Sequence, residues 1–65
     1  MTAEQRAAFV IAQAVCAMAD IAAMQAENQI RIHRGETPAY TEESFTAVQV
    51  RYGIDHNAVI SLFQD

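Results

Sequence analysis

The sequence contains no lysine and no tryptophan, and its 65 residues include one cysteine, one proline and two glycines. Each shortage excludes something. Four arginines, Arg6, Arg31, Arg34 and Arg51, stand against eight acids, a net charge of −4, so the chain has no general attraction for nucleic acid or for an anionic membrane. The lone Cys16 excludes an internal disulfide, and neither it nor His33 and His56 falls in a zinc-ligand spacing, so no metal and no cofactor is expected. One unpaired thiol fits a reducing cytoplasm. A chain this short forms one domain near the lower limit for folding alone. With disulfide and metal both excluded, oligomerisation is the common remaining route to stability.

What is present is dominated by residues 2–35, which read as one helix of about 30 residues, roughly 45 Å at 1.5 Å per residue. Ten alanines in residues 3–26 give high helix propensity and allow close approach of a neighbouring helix. Between residues 7 and 24 only Gln13 and Asp20 are polar, seven apart and in line with Arg6, Glu27 and Arg34. The larger apolar residues Phe9, Val10, Ile11, Val15, Met18, Ile21 and Met24 spread over more than one stripe, which is the pattern of a helix touching at least two others. A rod apolar nearly all round must be buried nearly all round, and the remaining residues are too few to wrap it. Self-association through Phe9, Ile11, Val15, Met18 and Ala22 follows as an expectation. Gln13 and Asp20 either face solvent or are buried to fix helix register.

The acidic opening, Met1-Thr2-Ala3-Glu4, lacks a basic n-region, so no targeting segment is expected. Alanine content, the central Asp20 and the lack of a clean apolar stretch of about 20 residues argue against a membrane span. A soluble, cytoplasmic protein is expected.

Thr2 and Gln5 form a capping box that starts helix 1 near residue 3, and Gly35 supplies a C-terminal stop, which ends the helix at about Arg34. Pro38 blocks continuation through the connection. Thr41, with Glu42 and Glu43 behind it, starts helix 2, which is expected over about 42–52, with Phe45, Val48 and Tyr52 at helical spacing and Gly53 at its end. Asp55 caps a short helix 3, about 56–63, whose Val59, Ile60, Leu62 and Phe63 form an apolar patch. The fold class is all-α: a helical hairpin with a short third helix, assembled as a homo-oligomeric bundle.

Chemistry has one leading candidate. Asn28, Arg31, His33, Arg34 and Tyr40 gather around the turn between helices 1 and 2, offering guanidinium for phosphate, an amide for a base edge and a ring for stacking. The plainer reading is that Glu27 and Arg31 form an i,i+4 pair, that cations favour a helix C-terminus and that Tyr40 packs on helix 1. A second candidate is a helix-turn-helix with Gly53 in its turn, which buries Val48, Tyr52, Ile54, Val59 and Leu62. It departs from that pattern at Gln49, where a small residue is usual, and its would-be recognition helix carries no arginine or lysine. Nucleic acid is therefore not the expected partner. No catalytic set emerges: Cys16, in an apolar helix, reads as an inert buried thiol, and Asp55-His56 is explained as an N-cap aspartate followed by histidine.

Residues 28–40 together with Tyr52-Gly53-Ile54-Asp55-His56-Asn57-Ala58-Val59-Ile60 resemble the small all-helical proteins encoded by tailed bacteriophages. The resemblance implies a context in the host cell cytoplasm, where such proteins counter host defence by binding a host protein or by sequestering a nucleotide signal in an oligomeric sponge. The sponge agrees with the expected self-association and the local arginines. The leading expectation is thus a non-catalytic oligomer that captures a phosphate-bearing nucleotide. Inhibition of a host protein is second and nucleic-acid binding third.

Overall fold

The computed structural model describes residues 1–64, and these form three helices: α1, Ala3–His33; α2, Glu42–Arg51; and α3, His56–Phe63. α1 begins as its sequence dictates. The Gln5 N–H donates to Thr2 Oγ1 at 3.0 Å, and the Thr2 N–H donates to Gln5 Oε1 at 2.9 Å, closing the capping box. It ends one residue short of the expected limit, with Arg34 as C-cap. Gly35 takes φ 76°, which lets the Glu36 N–H reach the Arg31 carbonyl at 2.8 Å and its own N–H reach that of Ile32 at 3.0 Å. That double bond pattern turns the chain back on itself. Gly53, at φ 67°, ends α2 in the same way through the carbonyls of Gln49 and Val50. Asp55 stands at the N-cap of α3, but its side chain makes no capping hydrogen bond.

After the first turn α2 and then α3 run back along α1, and both pack on it. The contact uses one face of α1. Val10, Ala14, Ala17, Ile21 and Met24 recur three and four apart and are buried or half-buried, as are Phe45 and Val48 of α2 and Val59 and Leu62 of α3. Only Ala17, 4 % exposed, and Val48, 1 % exposed, are fully enclosed among the described residues. The molecule is accordingly a thin slab of 50 × 17 × 10 Å with a radius of gyration of 15.1 Å, against about 11 Å for a compact chain of this length.

One expectation needs correcting. α1 is long and apolar enough to cross a membrane, with a mean hydropathy of 1.9 over 18 residues, of which 11 % are buried within the fold. What is corrected is the weight put on alanine, which is itself mildly apolar; the length and composition of one helix are weak evidence for a span, since core helices and signal sequences share them.

Candidate functional site

α1 has two long sides of opposite character. The near side, which faces α2 and α3, carries the polar line. Gln13 and Asp20 are half-buried there rather than fully exposed or fully enclosed. The Gln13 amide donates to the carbonyl of Tyr52 at 3.0 Å, one of the carbonyls that a helix C-terminus leaves without an intrahelical partner. Asp20 Oδ2 accepts from the Tyr52 hydroxyl at 2.6 Å and from Arg51 Nη2 at 2.9 Å. The Arg51 guanidinium also lies 5.6 Å from the centre of the Tyr52 ring. The hydrogen bond to Asp20, then burial and the Asp20 charge, raise the Tyr52 phenol above its ordinary 10.0, with Arg51 opposing. The sequence reading left Asp20 open and did not pair it with Arg51. In an antiparallel hairpin the end of helix 2 must return to the middle of helix 1, and that geometric signal would have found the pair.

At the turn, Asn28 grips the backbone of Tyr40 with both ends of its amide. Its Nδ2 donates to the Tyr40 carbonyl at 2.9 Å, and its Oδ1 accepts the Tyr40 N–H at 3.0 Å. Arg31 pairs with Glu27 at 3.2 Å and reaches Glu36 at 3.7 Å. Asn28, Arg31 and Tyr40 therefore come together, but the amide is spent on the chain's own backbone and the guanidinium lies between two carboxylates. Arg34 and His33 are exposed. At 3.6 residues per turn His33 falls on the opposite side of the helix from Asn28. Arg34 makes no ion pair among the described residues, whereas Arg31 and Arg51 do. A shallow open depression lies elsewhere, on the solvent side of α2, lined by Glu42, Glu43, Thr46, Ala47 and Val50. It is acidic and is not a place for phosphate.

The far side of α1 is bare. Ile11, Val15 and Met18 are 64, 60 and 69 % exposed, and Phe9 and Ala22 are exposed as well. Cys16 is also exposed rather than enclosed. Ile60 and Phe63 leave part of the α3 patch in solvent, and the outward residues of that helix include no cation. The described residues thus define a small all-α hairpin with a polar-clasped inner side and an uncovered apolar outer side. No family model matches the chain, and no curated protein and no solved structure matches it either.

Proposed function

We propose that this is a non-catalytic binding protein that acts as a homo-oligomer in the cytoplasm. One observation carries the reading: the far side of α1 presents Ile11, Val15 and Met18 to solvent in an isolated chain, and a contiguous apolar face of this kind is an interaction surface. The charged groups that do meet serve the fold: Asp20 with Arg51 joins α1 to α2, Arg31 with Glu36 holds the reversal after α1, and Arg31 with Glu27 lies within α1. That favours a structural use of those charges over catalysis.

A second reading is supported by Arg34. It is exposed and without an ion pair among the described residues in a chain with few bases, and guanidinium is the donor suited to phosphate. On that reading the oligomer is a phage anti-defence sponge for a nucleotide signal. Arg34 and Arg31 supply the charge, His33 stands at the edge, and Asn28 and Tyr40 shape the turn. Native mass spectrometry with and without a pool of cyclic and linear nucleotides tests both readings. A multimer is expected, and a stable monomer would overturn the oligomer. Mass added per subunit in the pool, and lost in Arg34→Ala with the multimer intact, supports the sponge. A multimer that gains nothing removes the sponge and turns the search to a host protein.

A further inference from the structure

We infer that the partner on the far side of α1 is the same helix of a second copy, laid antiparallel with Ala8 opposite Ala26, Ala12 opposite Ala22 and Val15 opposite Ala19. The inference rests on the homo-oligomer reading above and gives it a surface and an orientation. Ala8, Ala12, Val15, Ala19, Ala22 and Ala26 are spaced four, three, four, three and four residues apart, and all are exposed. At 3.6 residues per turn they fall on one line opposite Ala17. This alternation is the repeat that lets two helices stay in register along their length. Ile11 and Met18 flank the line on one edge and are exposed, while Phe9 lies toward the polar line and outside the seam. Small residues in the middle with larger ones at one edge let two backbones approach closely while that edge closes over the seam.

The area agrees with one such partner. The chain exposes 4905 Å² at 7.2 kDa, whereas a folded monomer of that mass exposes about 4,100 Å². The excess, roughly 800 Å², is the share each partner gives to an interface of standard size.

Charge selects the orientation. Arg6, Asp20, Glu27 and Arg31 all lie on or beside the near side and are half-buried there. The far side carries Glu4 at its beginning and His33 at its end, with no charge between them, and Arg34, the C-cap that follows, stands at the border of the two sides. An antiparallel pair brings Glu4 to His33 and Arg34 of the partner subunit and opposes the two helix dipoles. A parallel pair sets like against like at both ends.

The test uses two single-cysteine chains in a Cys16→Ser background, Ala8→Cys and Ala26→Cys, one of them isotopically heavy, mixed and mildly oxidised. The mixed disulfide is expected to exceed each like-with-like dimer about tenfold, because only that pair holds its Cα atoms within about 7 Å. A dominant Ala8→Cys homodimer would mean parallel pairing and overturn the orientation. A dimer in sedimentation that forms no cross-link places the contact on another surface, which sinks the inference and leaves the oligomer reading standing. A monomer in sedimentation ends both. Ala19→Glu gives a second check, since the residue is exposed in the isolated chain: loss of the dimer with unchanged helical circular dichroism is expected, and a dimer that persists would overturn the seam. Flotation of monomeric protein with neutral phosphatidylcholine vesicles would assign the face to lipid and refute the proposal.

Discussion

The two sides of α1 contrast in how they specify a neighbour. The near side places a polar contact at each of three levels: Gln13 on the Tyr52 carbonyl, Asp20 on Arg51 and the Tyr52 hydroxyl, and Asn28 on the Tyr40 backbone. Sliding α2 along α1 by one turn would break these contacts, and at the part-buried ones, Gln13 on the Tyr52 carbonyl and Asp20 on the Tyr52 hydroxyl, the penalty of leaving a group unpaired exceeds the modest net gain of making the bond. The far side has no such marks between Glu4 and His33, so its register is set by shape and by charge at the ends alone. One helix thus carries a neighbour chosen by hydrogen bonds and a surface that accepts a neighbour by fit.

The same substitution on the two sides gives the largest test of this contrast. Val48 is enclosed against α1, and Val48→Ala is expected to lower the unfolding free energy by about 2 kcal/mol, a large part of the stability of so small a domain. Val15→Ala removes the same methyl groups from the far side. Its effect should appear only at protein concentrations where the oligomer forms and vanish on dilution, because association stabilises by mass action. Urea titrations at two concentrations separate the cases. A loss for Val15→Ala that survives dilution would show that the far side is already covered within one chain.

Next in size is the clasp at the turn. Asn28→Ala leaves the Tyr40 N–H and carbonyl without their partner and should cost about 1 kcal/mol, given that the site is exposed to water. Hydrogen exchange reads it directly: the Tyr40 amide should lose protection while that of Val48, in α2, keeps it. Equal loss at both would mean that the turn and α2 open as one unit.

Much of the fold was legible because its signals are local. Thr2 with Gln5, and Gly35 and Gly53 at positive φ, act within five residues of themselves, and the three helices fall where these residues put them. The polar contacts were harder to read because each joins positions far apart in the chain. Asn28 read as an amide for a base edge and turns out to hold the Tyr40 backbone. The Glu27–Arg31 pair was visible at i,i+4 spacing, but the approach of Glu36 to Arg31 depends on the reversal at Gly35. The polar line through Gln13 and Asp20 was visible as a line, while the side it marked became clear only with α2 in place.

The smallest effect isolates the middle contact. Tyr52 donates its proton to Asp20, and its folded value lies above the 10.0 of a free phenol, chiefly through that hydrogen bond. A group whose folded pKa is raised stabilises the protein fully below its unfolded value, and the contribution is lost as pH rises through the folded one. As pH rises above about 10 the urea midpoint should therefore fall more steeply in the native protein than in Tyr52→Phe, which has no proton there to lose. Tyr40 is common to both proteins, so the difference reports Tyr52 alone. Parallel slopes would mean that the Tyr52–Asp20 bond does not hold the hairpin. The near side would then owe its register to Gln13, Asn28 and the Arg51–Asp20 pair, and the contrast with the far side would narrow.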